Sequence, residues 1–274
     1  MQNKTALITG GTSGVGLSLV RELSKMNYDV FFIGTNKEKG QEIESEINEN
    51  KHTKGTFIAL DLSDVLAVKN FAQSFKTKVE KLDLLANIAG IFLPKKQETK
   101  QGFDKVFAVG YLSAYILSTE LESVLANAEN PRITNVAGES WQVLKPALNL
   151  DDLNFKKDYS GMKTTVATVH AKTVLSEILT ENFKDSHIMV NSFHPGIIKG
   201  NLSRNMPFPF KTLFKLVKPF MSNVSKSGVY ACTSLELNGV SGKLIIKKKL
   251  MDISFKDSYK KSLFDWTVKN IALV

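Results

Sequence analysis

Near the start of the chain, Thr9-Gly10-Gly11-Thr12-Ser13-Gly14-Val15-Gly16 brings together the residue types that hold a pyrophosphate. Glycine reaches positive φ and lets phosphate oxygens approach the backbone closely. A helix beginning just after such a turn offers free N–H groups and the positive end of its dipole. Thr12 and Ser13 add hydroxyl donors. The spacing at Gly10, Gly14 and Gly16 differs from G-x-G-x-x-G, but the physical requirements are the same. This turn points to a bound dinucleotide.

The elements that must position this turn alternate along the chain. Thr5–Thr9 reads as a buried strand, and Val15, Leu19, Leu23 and Met26 recur at helical spacing. Strands are expected at Val30–Ile33, Thr56–Leu60, Leu82–Ala86, Arg132–Val136, Ile188–Phe193 and Leu244–Ile246. Helices are expected at Lys37–Glu49, Ser63–Lys78, Gly102–Ala126 (broken near Phe103) and Gly161–Phe183. Such alternation predicts an α/β fold: a Rossmann-type, doubly wound parallel sheet of about seven strands with helices on both faces. There is no linker and no repeat, so residues 1–274 are expected to form one domain. The segment Met206–Met221 breaks the pattern, with Pro207, Pro209 and Pro219 among phenylalanines and leucines. It reads equally as a lid over a substrate pocket or as plain packing, and less favourably as a membrane-contact element.

Composition narrows the class. The net charge of +9 could suit nucleic acid, but arginine occurs only at positions 21, 132 and 204. Phosphate and base recognition favours the guanidinium fork, and the lysines are scattered, so no nucleic-acid partner is expected. The single cysteine, Cys232, excludes an internal disulfide and a cysteine metal cluster, and no metal is expected. No leader pattern or membrane-length apolar run is seen, and a cytoplasmic setting is expected.

Four motifs, in order, resemble the short-chain dehydrogenase/reductase family over nearly the whole chain. The glycine turn is similar to its cofactor turn. Asp61-Leu62 falls where the family holds adenine, and Asn87-Ile88-Ala89-Gly90 is similar to Asn-Asn-Ala-Gly. His194-Pro195-Gly196 is similar to its segment beside the nicotinamide, and Asp152-Leu153-Asn154-Phe155 resembles the retinol-dehydrogenase-like subgroup. The resemblance implies a nicotinamide cofactor held by Gly10, Thr12, Ser13, Gly14, Val15, Gly16, Asp61, Leu62, Asn87, Ala89, Gly90, Pro195 and Gly196. An acid after the second strand would bind the ribose of NAD and repel a 2′-phosphate. Gly34-Thr35-Asn36-Lys37 has none, so NADP(H) is favoured over NAD(H), with Thr35, Asn36 and Lys37 near the phosphate. Alternatively, Asn36 caps the next helix.

The family's catalysis uses Asn, Ser, Tyr and Lys. Its Asn position corresponds to Gly110, and its Ser pair to Ala137-Gly138, with Ser140 two residues beyond. Tyr159-x-x-x-Lys163 matches the letters but lies 32 residues from Pro195, where the family usually shows 26. The ungapped alignment places Thr165 at Tyr and Val169 at Lys, with Tyr159 in a surface loop; a less favoured one pairs Thr168 with Lys172. The family's threonine after Pro-Gly corresponds to Gly200. Threonine is far too weak an acid to replace a tyrosine of pKa about 10. Ser140, Thr168, Lys172, His170, Tyr111 and Tyr115 are possible substitutes, each more readily read as packing or, for Lys172, as solvated surface. Three readings follow: an oxidoreductase on a carbonyl or alcohol of an apolar small molecule, a cofactor-binding pseudoenzyme serving as sensor or scaffold, or a non-redox enzyme. A dimer or tetramer could form through the two long helices.

Overall fold

The computed structural model describes residues 3–49, 52–200 and 221–274. The expected lid therefore lies outside the described residues, except for Met221. Strands β1 (Lys4–Thr9), β2 (Tyr28–Gly34), β3 (Gly55–Ala59), β4 (Leu84–Asn87), β5 (Arg132–Val136), β6 (Met189–Phe193), β7 (Lys243–Ile246) and β8 (Lys249–Asp252) form one sheet. Their order is β3-β2-β1-β4-β5-β6-β7-β8. Seven strands run parallel, and β8 returns antiparallel to β7. The sheet is thus an α/β Rossmann-type sheet with one strand more than the sequence suggests. β8 carries no buried residue, so no apolar run marks it. The turn into it is made by Lys247 and Lys248, both at positive φ, with neither glycine nor asparagine to signal it.

Helices cover both faces because alternate strand residues point to opposite sides. In β1, Leu7 joins one core with α3 (Val65–Phe75), the helical run 105–126 and α8 (Gly161–Asn182). Its neighbours Ala6 and Ile8 join the other core with α1 (Gly14–Lys25), α2 (Lys37–Asn48) and α9 (Lys226–Thr233). The run 105–126 is not one helix. It comprises α4 (Lys105–Phe107), a π-helical turn at Ala108–Leu112, α5 (Ser113–Glu120) and α6 (Glu122–Ala126). A short helix, α7 (Ser140–Val143), follows β5, and α10 (Asp257–Ile271) closes the chain. α10 escapes a periodicity reading because its buried positions are Lys260, Leu263 and Thr267, two of them polar. Lys260 is held there by Glu177, Glu181 and Asp257.

The strand order reverses between β1 and β4. In an open parallel sheet, a crevice forms at that point beyond the carboxyl ends of the strands. The turns after β1, β2, β3 and β4 therefore converge on one place.

Candidate active site

A groove of about 540 Å³ occupies this crevice. Gly10, Thr12 and Ser13 line it from the β1 turn, and Gly34, Thr35 and Asn36 from the end of β2. Asp61 and Leu62 contribute after β3, and Ala89 and Gly90 after β4. The structure thus brings most of the expected cofactor residues together.

The glycine turn shows why it needs glycine. Gly10 has φ +69°, and a Cβ there would lie 3.1 Å from the Ala89 Cα. A Cβ on Gly16 would lie 2.2 Å from the Gly10 carbonyl oxygen, so α1 starts pressed against β1. Ser13 precedes α1 in an extended conformation and makes no side-chain cap. The first turn of α1 is thereby left open for an anion. This donor set fits a pyrophosphate.

Thr9, the first residue of the motif but not one of the expected cofactor contacts, builds the opposite wall. Its Oγ1 accepts from the Ile88 and Ala89 N–H groups at 2.9 and 3.0 Å, locking the turn after β4 onto β1. Asn87 points away from the groove: its Nδ2 donates to Asn135 Oδ1 at 2.9 Å and Ser118 Oγ at 3.2 Å. Asn36 caps α2, its side chain accepting from the Lys39 N–H at 2.9 Å. The cation that lines the groove beside Thr35 and Asn36 is Lys39, which the sequence reading passed over. On the nicotinamide side, Pro195-Gly196 forms a corner with Gly196 at φ +80°. Ser225 Oγ donates to the Pro195 carbonyl at 2.8 Å, and the Ser225 N–H donates to Ser18 Oγ on α1 at 2.9 Å.

The positions that the resemblance assigns to proton transfer are packed shut. Gly110 lies in the π-helical turn facing Thr168, and a Cβ on it would sit 2.3 Å from the Thr168 methyl. A Cβ on Gly138 would sit 2.8 Å from Gln142 Oε1, which accepts from the Glu139 N–H. Thr165 donates its hydroxyl to the Gly161 carbonyl at 2.7 Å, and Thr168 donates to Thr164. Val169 packs against the core. A Cβ on Gly200 would press to 3.3 Å from Gly14, so a larger residue there would crowd the cofactor turn.

Two expectations are corrected. Lys172 is not solvated but fully buried, because α8 turns that face toward the sheet. Its Nζ donates to the Ala89 and Asn87 carbonyls at 3.1 and 3.3 Å, behind the groove wall, with no ion-pair partner among the described residues. Burial pushes its ammonium down to about 7. Tyr159 is not a surface residue. It is half-buried and donates to the Leu93 carbonyl at 2.7 Å. Burial, aided by the Asp104 charge, pushes its phenol up to about 12, the reverse of what a catalytic tyrosine needs.

The other substitutes are occupied or peripheral. His170 is buried between the Val143 carbonyl and the Tyr259 hydroxyl, each at 2.9 Å. Tyr111 is buried against Phe107 and bonds Thr267. Tyr115 packs edge-on against Phe264, and Ser140 starts α7.

Comparison with known proteins agrees with this geometry. Residues 4–207 match the short chain dehydrogenase family. The chain is 30% identical over 288 residues to an uncharacterized oxidoreductase of Schizosaccharomyces pombe, covering 98% of this chain and 85% of that protein. It is 26% identical to human polyprenol dehydrogenase over 90% of this chain and 78% of that one. It is also 26% identical to human retinol dehydrogenase 14 over 97% and 85%. Among solved structures, a short chain dehydrogenase from Burkholderia cenocepacia in complex with NADP superposes with a TM-score of 0.66 at 20% identity, covering 89% of this chain and 96% of that one. The chain belongs to the short-chain dehydrogenase/reductase family and is of the retinol-dehydrogenase-like kind. No helix among the described residues is long and apolar enough to cross a membrane.

Proposed function

We propose that this chain, as one domain, binds NADP(H) and interconverts a carbonyl and an alcohol on an apolar small molecule. The observation that carries this reading is the groove at the strand-order reversal, with Lys39, Thr35 and Asn36 at one end and no acid in Gly34-Thr35-Asn36-Lys37. A lysine there complements a 2′-phosphate, whereas an acid would repel it. The NADP complex of the Burkholderia protein supports the same cofactor. An apolar substrate is supported by the similarity to retinol and polyprenol dehydrogenases. Trp141 and Ile197, each 70% exposed, follow β5 and β6 at the same sheet edge and would receive such a molecule.

When bound, the cofactor supplies or accepts hydride. The chain's own part is to hold it: the open turn of α1 takes the pyrophosphate, Thr9 fixes the Ala89-Gly90 wall, and Ser225 pins the Pro195-Gly196 corner. In the favoured alignment the family's proton-transfer positions fall at Gly110, Gly138, Thr165 and Val169, and in the alternative the last two fall at Thr168 and Lys172. The Thr165 hydroxyl, already committed to Gly161, favours a second reading, a cofactor-binding pseudoenzyme.

Fluorescence titration with NADPH and NADH tests the cofactor claim. NADPH should bind more tightly, and Lys39→Glu should weaken NADPH about tenfold or more, as expected for losing a charge-assisted contact. Equal affinity for both cofactors in wild type and variant would refute the choice of NADP. Binding without turnover of aldehydes or alcohols would favour the pseudoenzyme.

A further inference from the structure

Glu139 and His194 rise from the ends of adjacent strands. Val136 of β5 pairs with Phe193 of β6, and the Ala137 N–H donates to the Phe193 carbonyl at 2.8 Å. Glu139 is therefore carried just beyond one strand end and His194 just beyond the other. His194 Nε2 stands 3.6 Å from Glu139 Oε1. That gap is longer than a hydrogen bond, and a hydroxyl oxygen beside it can accept from the ring N–H and donate to the carboxylate.

The surroundings orient the pair. Glu139 begins the turn into α7, and its N–H is tied to Gln142 Oε1 at 3.0 Å. The His194 N–H donates to the Ile245 carbonyl at 2.9 Å. The Gly196 N–H lies 3.4 Å from His194 Nδ1, so Nε2 is the ring nitrogen that faces Glu139. The two side chains are 20% and 46% exposed, so they are open to a substrate yet partly screened from water. They follow Gly138 and precede Pro195-Gly196, at the sheet edge where the nicotinamide is expected.

We propose that Glu139 and His194 are the catalytic proton-transfer pair of this chain, replacing the family's missing hydroxyl acid. The inference rests on the oxidoreductase reading above. In reduction, the carbonyl carbon gains hydride from the reduced cofactor and its π bond breaks onto oxygen. That oxygen takes a proton from the His194 imidazolium, and the ring is left neutral. Glu139 stays a carboxylate throughout and stabilises the imidazolium, which solvent then regenerates. Alcohol oxidation reverses each transfer. Burial lowers the His194 pKa, Glu139 opposes that, and Lys247 of the β7–β8 turn adds to it. The ring therefore gives up its proton readily and depends on Glu139 to regain it.

The test uses the intact chain with NADPH and decanal, comparing wild type, His194→Asn and Glu139→Gln. His194→Asn should keep NADPH affinity within about threefold while kcat falls about 10²-fold or more, the usual loss of a general acid. Independently of turnover, NMR titration of the His194 ring should move to lower pH in Glu139→Gln, a surface change that leaves the core intact. Unchanged kcat in His194→Asn, or a His194 titration indifferent to Glu139, would overturn the pair. Tight NADPH binding with no decanal reduction by wild type would overturn it as well, while leaving the cofactor reading standing. Absence of NADPH binding would sink the underlying reading instead.

Discussion

Replacing Lys172 by methionine isolates the cost of an unpaired buried cation. The native ammonium titrates at about 7 because burial disfavours its charge, against 10.5 for a free lysine. Between those values the unfolded chain holds one more proton than the folded one. Folded stability is therefore lowest below pH 7, where both states are charged, and rises with pH toward the free lysine value. The maximal slope is about 1.4 kcal/mol per pH unit, which gives a gain of about 2 kcal/mol between pH 7 and 9. Methionine keeps the length and apolar character of the stem but removes the donor to the Ala89 carbonyl and to the Asn87 carbonyl, which also lies in the β4–β5 ladder, at about 1–3 kcal/mol in all. The sign of the difference at any single pH is thus set by two opposing terms. The slope belongs to the titration alone. Urea unfolding of both proteins from pH 6 to 9 measures it. Wild-type stability should climb relative to Lys172→Met by about 2 kcal/mol over the upper two units. Parallel curves would refute the argument and mean that the ammonium is hydrated or paired in solution.

Other outcomes follow from the same geometry. Gly110→Ala should destabilise by about 1–3 kcal/mol, because the clash with the Thr168 methyl outweighs the alanine helix preference. Thr168→Ser should restore most of that loss in a double-mutant cycle read by denaturation. Thr9→Val should strand the Ala89 N–H and leave the Ile88 N–H only its 3.1 Å bond to the Ala86 carbonyl, costing about 1–3 kcal/mol and weakening NADPH binding in a fluorescence titration. Burial lowers the His170 pKa below its unfolded value, so the unfolded chain gains a proton first as pH falls below about 6.5. Stability should fall across that window, and His170→Gln should flatten the fall in thermal melts.

Local pattern was enough to mark the glycine turn that lines the crevice. The glycine turn, the strand before it and the helix after it are neighbours in the chain, and their chemistry depends on φ and on a helix end. Those requirements are visible in consecutive letters such as Gly10 to Gly16. The alternation of buried strands and amphipathic helices likewise carried the sheet as far as β7. β8 and α10 were invisible because one is wholly exposed and the other buries a lysine and a threonine, so neither leaves an apolar period. The proposed proton-transfer pair depends on distance between strand ends, and sequence separation says little about that. Glu139 and His194 are 55 residues apart in the chain and 3.6 Å apart in space. Lys172 carries the same letters as any surface lysine, and only the facing of α8 against β4 made it a buried cation. Lys39 lines the groove in the first turn of α2, which Asn36 caps, a placement that its letter alone does not show. Consecutive residues marked the glycine turn proposed to hold the cofactor; the packing of β5 against β6 decided that Glu139 and His194 stand together.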